Sequence, residues 1–263
     1  MYYYIYDQFL SHKKYDKIIA QIEGKITDLG IKDRIIKMSI LKSVKELVMD
    51  ALRKGATTIV AVGNDQTVNK VVNLIVAEPV VFGIIPIGDN NSIAKFLGIN
   101  NPLSACEIIS ARKVETINLG EVNSEYFINS IKIHDHKLTL ECNDRFKITT
   151  LSKKNLISIY NFSPGTDMNL KSKKFFNPQD NFLEVVVEPK DEKTLNNFIY
   201  SLLKKEKNKL PESVFRVKKI SIKNTEQKSG SVVVDDFKVM KTPLNIRVSD
   251  KKLKIIVGKE RHF

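Results

Sequence analysis

Residues 59–63 read Ile-Val-Ala-Val-Gly, and this run, with the turn and helix start after it, constrains the fold more than any other stretch of the chain. A β-branched apolar run halts at a glycine. Asn64, Asp65 and Gln66 form a polar turn, and residues 67–73 then carry apolar side chains at helical spacing. This is a buried strand, a tight turn and a helix N-terminus. A second signal comes at once. The apolar run 80–85 ends at Pro86-Ile87-Gly88, the polar turn Asp89-Asn90-Asn91-Ser92 comes next, and residues 93–97 start a short helix with Asn91 or Ser92 as its cap. A turn of this kind aims backbone N–H groups and the positive end of a helix dipole at one point, where phosphate binds. Any strand–helix unit has such a turn, so one alone means little; two on consecutive strands mean more.

The rest of the first half supports parallel strands. Tyr2–Tyr6 reads as a strand. Residues 15–29 carry Ile18, Ile19, Ile22, Ile26 and Leu29 at helical spacing. Residues 35–40 read as a strand, 44–52 as a helix capped by Ser43 and stopped by Gly55, and 57–62 as the strand before the first turn. Strands separated by helices of this length pair in parallel through right-handed crossovers. The expected sheet is open and doubly wound, and ligands bind such sheets outside the carboxyl ends of the strands.

After Lys113 the rhythm changes. Segments 114–119, 126–133, 137–142, 146–151, 156–160, 182–187, 214–222, 232–239, 244–248 and 253–257 read as strands, with one helix around 195–203. Many short strands at this spacing predict an antiparallel, sandwich-like β domain. The expected division is therefore 1–113 and 114–263. No glycine- or proline-rich linker marks it, so the two parts should be closely apposed.

With 42% hydrophobic residues in 263, the chain has material for a proper core. It has no apolar run of about 18 residues, the length a membrane-spanning helix needs. Cys106 and Cys142 lie in apolar patterns and read as reduced core residues, and a cytosolic protein is expected. The net charge of +13 is uneven: residues 1–114 hold 15 Lys+Arg against 11 Asp+Glu, and the remaining 28 against 19 lie beyond. A lysine-rich soluble surface explains this without further function. The functional alternatives are attraction to anionic lipid head groups, hence peripheral membrane contact, or to nucleic acid. With no RNA-binding aromatic motif, nucleic acid ranks below lipid. His134 and His136 share one face of a strand pattern, but two ligands make a poor metal site.

Residues 63–73, GNDQTVNKVVN, and 86–98, PIGDNNSIAKFLG, together resemble the diacylglycerol kinase and sphingosine kinase family of lipid kinases. There the first motif reads GGDGTVNEVVN and the second PLGTGNDFARSLG. Gly63, Asp65, Thr67, Val68, Asn69, Val71, Val72 and Asn73 match the first; Pro86, Gly88, Asn91, Ala94, Leu97 and Gly98 match the second. NAD kinases share the first motif, whereas the second points to the lipid branch. Residues 179–185, QDNFLEV, match the family's DDGxLEV in part. Asp235-Asp236-Phe237 stands where the family has DGE.

The resemblance implies a nucleotide-binding domain over 1–113, a lipid-binding β domain over 114–263, and transfer of phosphate from ATP, with Mg²⁺, to a lipid hydroxyl such as that of diacylglycerol. It implies nucleotide contacts at Gly63, Asn64, Gln66, Thr67, Asn69, Gly88 and Asn91, catalytic carboxylates at Asp65 and Asp235, and metal contacts at Asp65 and Asp180. The sequence also departs from the pattern. Asn64 and Gln66 replace two loop glycines, and Gln66 puts a long side chain where phosphate would approach. Asp89 adds negative charge beside a phosphate site, and Phe237 replaces a glutamate. A binding protein that has kept the scaffold and lost transfer is the alternative. Asp65 reads equally well as a cap for the helix starting near Thr67.

Overall fold

The apolar runs at 58–63 and 81–86 pair in parallel and are buried on both faces, as strands of a covered parallel sheet are. In this computed structural model, residues 1–39, 42–133, 138–149, 155–162, 176–189, 213–224 and 230–263 are described. The first half runs β1 (Tyr2–Tyr6), two 3-10 turns (Gln8–Ser11 and Lys13–Tyr15), α1 (Asp16–Asp28), β2 (Arg34–Lys37), α2 (Val44–Arg53), β3 (Thr58–Gly63), α3 (Asp65–Ile75), β4 (Val81–Pro86), α4 (Ser92–Phe96) and α5 (Pro102–Ala111). The parallel order is β2-β1-β3-β4. Helices α1 and α5 pack together, as do α2 and α3. The chain moves outward from β1 to β2 and then to the other side at β3, so the crevice of this sheet opens between the carboxyl ends of β1 and β3.

The second half supplies β5 (Val114–Val122), β6 (Glu125–Phe127), β7 (Ser130–Ile133), β8 (Leu138–Cys142), β9 (Phe146–Thr149), β10 (Asn155–Tyr160), β11 (Leu183–Pro189), β12 (Ser213–Val217), β13 (Lys219–Asn224), β14 (Ser231–Val234), β15 (Lys238–Lys241) and β16 (Leu244–Ile256). Six of these strands form an antiparallel sheet in the order β12-β11-β10-β7-β14-β15. Strands β16, β13, β8 and β9 extend the first sheet beyond β4. Strand β16 is the seam: it pairs with β4 in parallel at Ile255 and Phe82, and with β5 and β13 antiparallel. One core cluster lies around the parallel strands and includes Leu253, Ile255 and Ile256 of β16. A second, with Ile131, Ile159, Val185, Ile220 and Ile246, fills the space between the two sheets.

The fold class is as the sequence implied, while several strands divide differently. Segment 126–133 is two strands, β6 and β7, because the N–H groups of residues 128–130 turn away to the carboxylate of Asp235. Segment 214–222 is also two strands, in different sheets. The N–H groups of Lys218 and Lys219 both bond Asn143 Oδ1, at 2.8 and 3.1 Å, where the chain changes sheet. Segment 232–239 is a hairpin. Asp235 and Asp236 take left-handed φ of 47° and 64°, the pair of positive values a tight primed turn demands. Conversely, 244–248 and 253–257 are one strand, β16, with a register shift between Val248 and Lys252. The helix expected at 195–203, and His134 and His136, lie outside the described residues. Among the described residues no helix is long and apolar enough to cross a membrane.

Candidate functional site

The first turn leaves β3 at Gly63. A side chain there is excluded: a Cβ would stand 2.4 Å from Thr67 Oγ1 and 2.9 Å from Thr67 Cβ. Asn64 is the N-cap of α3. Its Oδ1 accepts from the N–H of Thr67 at 3.2 Å, and Thr67 Oγ1 accepts from the N–H of Asn64 at 3.3 Å. The backbone of Asn64 is extended, with φ −101°, so nothing at this position calls for glycine. An asparagine costs the turn nothing and supplies a cap. Gln66 is exposed on the first turn of α3. Thr67 is fully buried and its hydroxyl donates to Asp7 Oδ2 at 2.7 Å, tying the end of β1 to the start of α3.

Asp65 joins the first turn to the second. It does not cap its own helix. Its carboxylate receives the N–H of Ser92 at 2.8 Å, the Ser92 hydroxyl at 2.6 Å and the N–H of Ile93 at 3.2 Å, so it caps α4 from 27 residues away. Its own N–H donates to the carbonyl of Asn90 at 2.9 Å. The two turns therefore lie side by side at one sheet edge. Asn91, the formal N-cap of α4, makes no side-chain cap and instead donates to the Gly88 carbonyl at 2.7 Å. Gly88 has φ 85°, a left-handed conformation that favours glycine. Burial holds the Asp65 carboxyl above the ordinary carboxylate range, while the bonds from Ser92 and Ile93 pull it back.

Asp235 faces these turns from the β-rich half. Its Oδ1 accepts from the N–H groups of Asn129 and Ser130 at 2.8 and 2.9 Å; its Oδ2 accepts from Ile128 N–H at 2.9 Å and Asn69 Nδ2 at 2.6 Å. Four donors use up the lone pairs of a carboxylate. Burial pushes its pKa up to about 6 against those four bonds. Asn69 thus spends its amide on the seam between the halves, and Asn73 completes it by exchanging bonds with the Tyr126 backbone at 2.9 Å each way. The next residue, Asp236, is exposed, ion-paired with Lys132 at 2.5 Å, and near enough that its charge acts on Asp65. Asn129 Nδ2 reaches Ser92 Oγ at 3.4 Å across the same gap.

Asp180 lies elsewhere, in the turn before β11, where it pairs with Arg216 and accepts from Phe182 N–H at 3.0 Å. The structure does not bring it to Asp65. Beside it Glu184 is 1% exposed, with Arg216 Nε at 3.6 Å, and burial lifts its carboxyl to about 8. Among the described residues no three His, Cys, Asp or Glu side chains gather to hold a metal ion. With Asp235 saturated and Asp180 paired to arginine, the described carboxylates do not make a prebuilt Mg²⁺ site. Cys106 and Cys142 are buried and free, as expected. Sequence reasoning missed Asp7 and Asp236; Asp7 carried only its place just after the first strand, and Asp236 its adjacency to Asp235.

Fold and site together define a class: a doubly wound α/β unit with paired turns at one sheet edge, faced by a β-rich half. Residues 2–122 match the family model of the diacylglycerol kinase catalytic domain. Over 129 residues the chain is 28% identical to the diacylglycerol kinase of Bacillus subtilis (strain 168), covering 48% of this chain and 43% of that protein. It is 34% identical over 82 residues to the diacylglycerol kinase of Staphylococcus haemolyticus (strain JCSC1435), covering 30% and 25%. The matched segments span less than half the length of these curated relatives. A solved diacylglycerol kinase from Bacillus anthracis str. Sterne superposes with a TM-score of 0.71 at 14% identity, covering 98% of this chain and 97% of that one. That likeness speaks for the fold. Over residues 2–122 the chain is thus similar to the diacylglycerol kinase catalytic domain family.

Proposed function

We propose that this protein is a lipid-kinase-like phosphotransferase, moving the terminal phosphoryl group of a nucleoside triphosphate to a lipid hydroxyl such as that of diacylglycerol. One observation carries the reading: the two turns are bonded to each other through Asp65 at adjacent carboxyl ends of β3 and β4, opposite the Asp235–Asp236 turn. Phosphoryl transfer is mostly positioning and charge stabilisation. In this reading the turns receive the phosphates, Asp65 fixes the distance between them, and Asp235 docks the β-rich half through Asn69. Asp236, exposed at the mouth, is the carboxylate free of backbone duty and the better candidate to accept the proton of the lipid hydroxyl. Magnesium, the usual companion of nucleoside triphosphates, neutralises phosphate charge when bound. The excess of Lys and Arg over Asp and Glu in the sequence beyond residue 114, 28 against 19, favours an anionic lipid surface as the place of work.

Retention of nucleotide or lipid binding without transfer is the second reading. It is favoured by the saturated carboxylate of Asp235 and by Phe237, which offers no group to a metal or a proton. Incubating the protein with Mg-ATP and a lipid panel separates the two: labelled lipid supports the first, while nucleotide binding without label supports the second.

A further inference from the structure

The segment after β1 borders the crevice, and phosphoryl transfer as proposed leaves it without a task. Residues 7–15 turn there through the two 3-10 helices. Asp7 caps the first of them, accepting the N–H of Phe9 at 3.2 Å on Oδ1 and the Thr67 hydroxyl at 2.7 Å on Oδ2. The segment is thus bonded to the start of α3, and Phe9 is aimed across the crevice. Its ring lies against Gly88. A Cβ built on Gly88 would be 3.2 Å from both Cε2 and Cζ of Phe9, and 3.8 Å from the Tyr15 hydroxyl. The rings of Phe9 and Tyr15 meet edge to face at 5.4 Å.

A glycine in a phosphate turn ordinarily leaves to the ligand the side on which a Cβ would stand. Here a phenyl ring has that side. It donates no N–H or O–H hydrogen bond to a phosphate oxygen, and its Cε2 and Cζ atoms take the space that oxygen would occupy. Four of the backbone donors of the two turns are engaged from within the chain. Asn64 N–H goes to Thr67 Oγ1, Asp65 N–H to the Asn90 carbonyl, and Ser92 and Ile93 N–H to Asp65. With the ring in this position, the side of Gly88 that a phosphate would approach is closed.

We infer that Phe9 is a specificity-determining residue of this cleft: its ring fills the room a nucleotide phosphate needs beside Gly88, so nucleotide enters only when residues 8–15 move aside. The inference rests on the nucleotide reading of the same cleft. Apparent affinity is the intrinsic affinity scaled by the fraction of molecules with the ring withdrawn. A smaller side chain at position 9 raises that fraction without removing a hydrogen bond to the ligand. A ring of the same size does not.

The test is calorimetric titration of Mg-ATP into the full chain as wild type, Phe9→Ala, Phe9→Leu and Phe9→Tyr, with thermal melts to establish that each is folded. Phe9→Ala should bind about tenfold tighter than wild type or more, Phe9→Leu in between, and Phe9→Tyr like wild type. Binding by Phe9→Ala where wild type shows none supports the inference equally. Equal affinity of wild type and Phe9→Ala overturns the role of Phe9 and leaves the nucleotide reading standing. No binding by any folded variant overturns both. Should Phe9→Ala fail to fold, Phe9→Leu carries the comparison, and an affinity no better than wild type's overturns the inference.

Discussion

Asp65 shows how one side chain sets the geometry of two loops. Its carboxylate accepts three donors from residues 92 and 93. An asparagine of the same shape would turn an N–H₂ toward those donors. Asp65→Asn should therefore destabilise the fold by about 1–3 kcal/mol, the cost of buried donors left unmade, and urea unfolding reads this directly; unchanged stability would show that the clamp carries no load. Glu184 gives a pH dependence with a definite sign. Its native carboxyl titrates at about 8 against 4.5 ordinarily, so between these values the native state keeps a proton that the unfolded chain has lost. The group's contribution to stability therefore declines as pH rises through that window and levels off above it, by up to about 1.4 kcal/mol per pH unit. Glu184→Gln abolishes the decline. Melting curves of both proteins across the window should converge at the acid end and separate toward the alkaline end; parallel curves would contradict the assignment. Asp65 stood out in the sequence as a residue, but not its task, since the helix it caps lies 27 residues on and no local pattern records that. Asn64 looked like a damaged glycine because φ is not legible in a single sequence; its backbone is extended.

At the scale of elements, the Asp235 turn and the start of α3 form one joint. The turn between β14 and β15 inserts its carboxylate among the N–H groups of residues 128–130 and takes Asn69 Nδ2 from α3. Asp235→Asn and Asn69→Ala should each destabilise the protein, and their combination should do so by less than the sum. The coupling expected for contacting residues is about 0.5–3 kcal/mol, and simple additivity in a double-mutant cycle would mean that the contact contributes nothing. The same joint explains where strand reading from sequence stops. Residues 126–133 are apolar-rich but lose their alternation at Ile128-Asn129-Ser130, where the N–H groups bond a side chain in place of a neighbouring strand and the ladder breaks. The run 214–222 likewise breaks its alternation at Lys218-Lys219, and its two ends lie in different sheets. Alternation reports which residues face a core; it does not report which sheet a residue pairs in. Where strands alternate with helices, as in β1, β3 and β4, pairing follows from connection length, and there sequence and structure agree to within a residue or two.

The whole molecule is joined by its last strand. Leu253, Ile255 and Ile256 of β16 lie in the same core cluster as the parallel strands, together with Ile117, Leu119, Ile128 and Phe162. Residues 1–113 expressed alone would expose the edge of β4 and that apolar surface to water. The fragment should lack the cooperative urea transition of the full chain; a sharp, reversible transition in the fragment would show that the first half is independently stable. The proposed function belongs to this scale too, because the paired turns and the Asp235–Asp236 turn come together only where the two halves meet. The most direct measurement is transfer of label from radioactive Mg-ATP to diacylglycerol in mixed micelles containing anionic lipid. Wild type should yield labelled phosphorylated lipid, and Asp236→Asn, folded to the same stability, should yield about 10²–10⁴-fold less, the range for losing a positioned general base. Folded wild type that labels no lipid hydroxyl, or Asp236→Asn that labels as well as wild type, would contradict phosphoryl transfer at this cleft as described.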